Sequence, residues 1–166
     1  MEKTELFLEN RIKWKANQHN LPNKNVFLFE KLDEDIQTKY QILFKEKKCG
    51  KIILLFTDSS KIWTALGTNM IIGFDGVNIK SIKLSSIKDI ISKNLKEQHL
   101  RAEFGETKLK KIKKRNESEL SVIDFDDNEI VFHTKKGNDF FSLWSILIMI
   151  SRLNEKTGYN RVDGSD

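Results

Sequence analysis

The side chains capable of catalysis are few in this chain and lie far apart along it. The three histidines are His19, His99 and His133, and the single cysteine is Cys49. A metal site needs several such ligands at workable spacing, and a nucleophile needs a histidine that a third group orients. The sequence contains no G-x-S-x-G elbow, no P-loop and no G-x-G-x-x-G motif. We therefore predict no catalytic residue, no metal, no cofactor and no enzymatic activity.

Cys49 is the most reactive candidate among these residues. It follows Lys47 and Lys48, whose positive charges would lower the pKa of its thiol. The alternative, which we favour, is a partly buried structural cysteine. A single thiol forms no disulfide within the chain, so nothing in the sequence indicates an oxidising compartment.

The strongest functional candidate is a basic block, defined here as residues 108–115. Six of its eight residues are basic: Lys108, Lys110, Lys111, Lys113, Lys114 and Arg115. Such a block could bind anionic lipid or nucleic acid with salt-dependent affinity. Residues 117–129, however, contain six acidic and no basic residues, and a hairpin pairing the two segments would cancel both charges. We favour the hairpin, because aromatic side chains that stack on bases are missing apart from Phe104.

The apolar segments of the chain are too short to span a membrane. The longest apolar run covers 11 residues, 140–150, and includes two serines, whereas a membrane-spanning helix needs about 20 residues. The first residues, MEKTELFLENRIKWK, contain no apolar stretch typical of a secretory signal. These features predict a soluble, cytoplasmic protein without a transmembrane segment.

The order of apolar patterns predicts helices, then short antiparallel strands, then one helix. Period-3.6 spacing indicates helices within 1–20 and over 29–47, separated by the breaker LPNKN, and a C-terminal helix over 140–155. Short β-branched and alternating runs indicate strands at 51–57, 61–66, 70–74, 77–84, 118–125 and 129–134. The alternation slips at Ser81-Ile82, which predicts a bulge. The last helix is apolar almost all round, with a narrow polar strip at Ser142, Ser145 and Arg152.

These elements contain a recognisable succession of turns. A Thr68-Asn69 turn leads into the apolar strand 70–74, then an Asp75-Gly76 turn, then a strand ending in a Leu84-x-x-Ile87 step. With the late hairpin and C-terminal helix, this succession resembles bacterial pleckstrin-homology-like domains of the GRAM type, over about residues 51–154. The resemblance implies an α+β fold: a small antiparallel barrel or sandwich closed by the C-terminal helix.

The resemblance also implies a domain organisation and a general function. The pleckstrin-homology-like domain would cover residues 51–155, after a helical N-terminal extension (1–50) and before a flexible tail (156–166). Such domains are binding modules. Eukaryotic members hold phosphoinositides with basic residues in the loop between their first two strands. The matching loop here, residues 58–61, has the sequence DSSK with a single lysine, so we expect no phosphate site there.

Protein–protein contact is therefore the expected function, with self-association as one form of it. The candidate interface residues are Trp14, Phe27, Phe29 and Tyr40, because exposed aromatics are enriched at interfaces. One alternative is an anionic-surface binder, acting on lipid or nucleic acid through residues 108–115. Another is a small intracellular inhibitor of the immunity type, which the sequence does not separate from other protein binders.

Overall fold

The helices and strands follow the predicted order, with two strands that the sequence did not predict, Val26–Leu28 and Ile87–Ser92. A computed structural model of the chain describes residues 4–59, 61–93 and 117–156. Its helices and strands are α1 (Glu5–Gln18), β1 (Val26–Leu28), α2 (Glu34–Glu46), β2 (Ile52–Thr57), β3 (Trp63–Gly67), β4 (Met70–Phe74), β5 (Ile79–Lys83), β6 (Ile87–Ser92), β7 (Glu119–Asp124), β8 (Glu129–His133) and α3 (Asn138–Lys156). Single 3-10 turns lie at Phe29–Lys31 and Leu84–Ser86.

The strands form two antiparallel sheets, so the α+β class and the C-terminal helix are confirmed. One sheet has the order β1-β2-β3-β4-β5 and the other the order β6-β7-β8. The two sheets are joined through a side chain: the Thr64 hydroxyl donates to the carbonyl of His133 at 2.7 Å and accepts from its N–H at 3.2 Å. Among the described strands no backbone pairing joins the sheets into a closed barrel.

The segment before α2 corrects the predicted start of the second helix. We predicted a helix from Phe29, but Phe29–Lys31 is a single 3-10 turn and α2 begins only at Glu34. Just before that turn, residues 26–28 form β1, which pairs with β2 from Val26↔Phe56 to Leu28↔Leu54. The Asn23 side chain accepts from the N–H groups of Asn25 and Val26 at 2.8 Å, which holds the chain in a turn that leads into the strand. Part of the predicted N-terminal extension therefore belongs to the sheet.

The predicted bulge at Ser81-Ile82 is wrong. The register between β4 and β5 runs without a shift from Met70↔Lys83 to Phe74↔Ile79. The alternation looked broken because we assigned Ile79 to the buried face, whereas it is 36% exposed and Ile82 is 5% exposed. The register shifts lie instead between β2 and β3 at Ile52/Leu54 and between β6 and β7 at Ile87/Asp89.

Both faces of the five-stranded sheet are covered, which explains why β2, β3 and β4 are buried almost throughout. On one face the main core joins both sheets to α1 and α3; its largest fully buried members include Phe56, Phe132, Phe140, Ile12 and Leu147. On the other face a second core lies under α2; it contains Phe29, Phe44, Cys49, Leu55, Trp63, Ala65 and Ile72. Neighbouring strand residues thus mostly belong to different cores, as the two-residue period requires; Ile53 and Leu54, at the register shift of β2, both belong to the main core.

An ion-pair network attaches α1 to the sheet. Glu9, which is 6% exposed, accepts hydrogen bonds from the ammonium groups of Lys13 at 2.7 Å and Lys51 at 2.9 Å. Lys13 also donates to Glu30 at 2.7 Å. The hydrogen bonds from Lys13 and then Lys51 lower the pKa of Glu9, and Lys13 lowers the pKa of Glu30. The network therefore favours the ionised form of both carboxyl groups in the folded protein.

These lowered pKa values predict a loss of stability in acid. A carboxylate with a lowered folded-state pKa stabilises the fold above its ordinary pKa and loses that contribution as the pH falls through the folded-state value. We expect the free energy of unfolding from urea titrations to fall below about pH 4.5, the ordinary value, and to fall less steeply in Glu9→Gln. Glu46→Gln, at an exposed position of α2, is the control. An equal loss of unfolding free energy in acid for the wild type and Glu9→Gln would contradict this account.

Candidate functional site

The four aromatic residues predicted as an interface do not form one surface. Phe29 is 4% exposed, and its ring lies 6.4 Å from that of Tyr40 within the aromatic cluster under α2. Phe27 is half-buried in β1. Trp14 lies on α1 and is 47% exposed. Among the described aromatic rings none stacks against Trp14. Because Trp14 is also the most exposed of the four residues, it offers a partner the most surface.

The basic block, residues 108–115, lies outside the described residues, so its predicted pairing with 117–129 stays a prediction. The acidic segment has partners in its own sheet. β7 has β6 and β8 as its neighbours. The acceptors and their donors are Glu117 with the Ser92 hydroxyl (2.8 Å), Glu119 with Lys93 (3.5 Å), Asp127 with Lys88 (2.7 Å) and Glu129 with the Ser121 hydroxyl (2.6 Å).

The candidate reactive groups have environments that do not activate them. Cys49 is fully buried, and burial raises the pKa of its thiol although Lys47 acts in the opposite direction. Burial, and then Lys15, lowers the pKa of His19. In the part of the chain that the structure describes, no three His, Cys, Asp or Glu side chains group as metal ligands.

The loop between β2 and β3 stabilises its own turn. The Ser59 hydroxyl accepts from the N–H groups of Lys61 and Ile62 at 3.3 and 3.2 Å. The carboxylate of Asp58 lies 3.9 Å from the ammonium group of Lys135. A carboxylate within the loop disfavours a bound phosphate.

The feature that best fits a binding site is a groove between α1 and α3, which we call the α1–α3 groove. Its volume is about 440 Å³. Its walls come from two helix faces: Arg11, Trp14 and Lys15 on α1, and Ser145, Ile148, Met149, Arg152 and Leu153 on α3. Residues three and four apart share one face of a helix, and this spacing places each set on one wall. The helices are held together by Ile12 and Ala16, which are buried in the main core.

The charges in the α1–α3 groove are all positive. The guanidinium carbon of Arg11 lies 4.5 Å from the centre of the Trp14 ring, and the ammonium group of Lys15 lies 6.0 Å from it. The buried Nε of Arg11 has no hydrogen-bond acceptor among the described residues. Neither Arg11, Lys15 nor Arg152 forms an ion pair within residues 4–59, 61–93 and 117–154. The groove therefore combines an exposed indole and apolar walls with three cations that have no ion-pair partner in the described part of the chain.

A second cavity, of about 490 Å³, lies between α2 and the start of β2. Its floor consists of Phe29, Phe44 and Ile52, which are already buried core side chains. Its wall includes Glu30, whose carboxylate binds Lys13. Lys51, also in the wall, binds Glu9, whereas Lys45 and Lys48 form no ion pair among the described residues. Because its aromatic side chains are buried in the core and none is exposed as Trp14 is, this cavity is the weaker candidate.

The sequence contained one signal for the α1–α3 groove. The narrow polar strip on the last helix includes Ser145 and Arg152, and both line the groove. Arg11 and Lys15 gave no such signal, because charged residues follow one another along most of the first twenty positions. Which of them faces α3 depends on packing between elements from opposite ends of the chain.

Comparisons with models of known protein families, with curated proteins and with solved structures gave no match. No helix in the described part of the chain is long and apolar enough to cross a lipid bilayer.

Proposed function

We propose that this protein is a non-enzymatic binding module that takes up an acidic, partly apolar segment of a protein partner in the α1–α3 groove. The observation that supports this most strongly is a set of three cations that lie in the groove with the exposed Trp14 and have no carboxylate partner among the described residues. Arginine and tryptophan are the residue types that contribute most binding energy at protein interfaces. A partner carboxylate would also pair with the guanidinium group of Arg11, which forms no ion pair among the described residues.

The shape and lining of the groove favour a peptide segment over a polyanion. A nucleic acid requires cations spread along a phosphate backbone, and an anionic membrane requires a broad basic face. Here the cations surround one pocket whose walls include Ile148, Met149 and Leu153. Apolar walls with a few charged groups suit a side chain flanked by carboxylates. Lipid or nucleic acid binding through residues 108–115 is the competing proposal, and an immunity-type inhibitor would be one form of the protein-binding proposal.

We further propose that the two sheets and α3 form a pleckstrin-homology-like domain. The support is the order of elements: four strands in meander, β2 to β5, then three strands, β6 to β8, then the C-terminal helix. The Thr68-Asn69 turn, the turn at Asp75 and the Leu84–Ser86 3-10 turn fall between the strands where the resemblance requires turns. In this proposal α1, β1 and α2 are additions, and α1 creates the groove.

Charge reversal of one groove residue tests the binding proposal. The probe is a short synthetic peptide in which aspartate alternates with phenylalanine and leucine, titrated calorimetrically at low salt. We expect Arg152→Glu to weaken binding about tenfold, or ~1.4 kcal/mol, because a carboxylate replaces a cation beside the bound aspartates. Lys39→Glu, an exposed site on α2, makes the same charge change away from the groove and should leave affinity unchanged.

Three further ligands separate the competing proposals: the same peptide with lysine in place of aspartate, phosphatidylserine vesicles, and single-stranded DNA. Binding of the acidic peptide alone supports the groove as a protein-binding site. Equal affinity of the wild type and Arg152→Glu for the acidic peptide would contradict it. Tighter binding of vesicles or DNA than of the peptide would favour the anionic-surface alternative.

A further inference from the structure

The turn between β7 and β8, here called the acidic turn (residues 124–128), has the chemistry that the α1–α3 groove requires. Its sequence is Asp-Phe-Asp-Asp-Asn. The phenyl ring of Phe125 is 61% exposed, with a carboxylate on either side of it in the sequence. Asp126 has no ion-pair partner among the described residues. The acidic turn therefore presents an aromatic side chain and carboxylates together at the tip of a hairpin.

The acidic turn is held in one conformation by its own hydrogen bonds. The Asp124 carboxylate accepts from the N–H groups of Asp126 and Asn128, both at 2.9 Å, and from the Asn128 side chain at 3.2 Å. The N–H of Asp127 donates to the carbonyl of Asp124 at 3.0 Å, and Lys88 holds the Asp127 carboxylate at 2.7 Å. A preorganised loop loses little conformational entropy on binding, so the backbone that carries the exposed ring needs little further ordering.

The groove and the acidic turn complement each other in charge and in apolar character. The groove offers Arg11, Lys15 and Arg152 around an indole, while the acidic turn offers a phenyl ring flanked by Asp126 and its neighbours. No residue of the acidic turn lines the groove of its own chain, so both surfaces are available on one molecule. Residues 94–116 are a poor occupant of the groove, because eight basic and three acidic residues give them a net charge of +5.

The geometry points to self-association in which the acidic turn of one copy occupies the α1–α3 groove of the next. This inference depends on the proposed function, since it identifies the partner segment of the same groove. The contact joins two different surfaces, so it is heterologous, and it generates a ring or an open chain according to the rotation between copies. Phe125 would lie against Trp14, and Asp126 would pair with groove cations.

Charge reversal on each side of the contact, alone and combined, tests this inference. The measurement is sedimentation velocity over a concentration series at low salt, on wild type, Asp126→Lys and Arg152→Glu. We expect the wild type to associate with rising concentration and each single variant to associate about tenfold more weakly. An equimolar mixture of the two variants should associate again, because the unchanged acidic turn of Arg152→Glu meets the unchanged groove of Asp126→Lys, and the new lysine of one also meets the new glutamate of the other. Glu46→Lys, on α2 and outside both surfaces, should behave as wild type.

The outcomes separate this inference from the proposal on which it depends. Loss of association in both single variants with recovery in the mixture supports the head-to-tail contact. A wild type that stays monomeric, or a mixture that does not recover, overturns it. If the monomeric wild type still binds the acidic peptide, the groove remains a protein-binding site whose partner is another protein. If it binds neither its own copy nor the peptide, both proposals fail.

Discussion

Leu147→Ala should lower the free energy of unfolding by about 2–5 kcal/mol, as expected when a fully buried leucine is truncated. Leu147 lies on α3 in the main core and has no exposed surface. Truncation removes buried methyl groups and leaves a cavity that the surrounding side chains of the main core fill only in part. α3 closes one face of the core and also forms a wall of the α1–α3 groove. The packing of Leu147 therefore supports both the stability of the fold and the position of that wall.

Urea denaturation at neutral pH measures this effect, with Ile42→Ala as the control. Ile42 is also an aliphatic residue in a helix but is 71% exposed, so its truncation should change the free energy of unfolding by less than about 0.5 kcal/mol. A loss below about 1 kcal/mol for Leu147→Ala would mean that α3 is not part of the core.

The second large effect is expected for Gly67→Ala at the end of β3. A Cβ atom at this position would lie 2.5 Å from the carbonyl oxygen of Cys49 and 3.0 Å from the Cδ1 atom of Ile52. The carbonyl is fixed, because it accepts from the N–H groups of Asn69 and Met70 at 3.1 and 3.3 Å. The backbone must therefore shift to admit a methyl group, which typically costs about 1–3 kcal/mol.

The same denaturation measurement tests Gly67→Ala, and Ser81→Ala on β5 provides a control in which no atom is added to the strand. We expect a clear loss of stability in the first variant and a small change in the second. Equal stability of Gly67→Ala and the wild type would indicate that the segment at Cys49 lies farther from β3 than this structure places it.

The elements with a long, regular apolar pattern could be predicted from the sequence. The β7–β8 hairpin follows the alternation of SELSVIDF and EIVFHT, and α3 follows the apolar run after Asn138. In contrast, β1 has only three residues and exists because it pairs with β2, so no local period identifies it. The exposure of Ile79 could not be predicted either, because alternation assigns residues to two faces of a strand without showing which face is buried.

The candidate site could be predicted only in part, because the sequence pattern does not show which residues the fold buries or brings together. Aromatic residues are suited both to cores and to interfaces, and the sequence does not separate Phe29, which is buried, from Trp14, which is exposed. The cations of the groove come from opposite ends of the chain, and their proximity follows from the packing of α1 on α3. Helical periodicity indicates which face of a helix is apolar but not which neighbour covers it.

The most direct test of the central claim is a ¹⁹F NMR titration of the protein labelled with 5-fluorotryptophan. The chain has three tryptophans, and Trp14→Phe assigns the resonance of the groove residue. We predict that the acidic peptide shifts the Trp14 resonance saturably, while the resonance of Trp63, in the second core, stays in place. A peptide that binds without shifting the Trp14 resonance, or that does not bind, would contradict the assignment of the α1–α3 groove as the binding site.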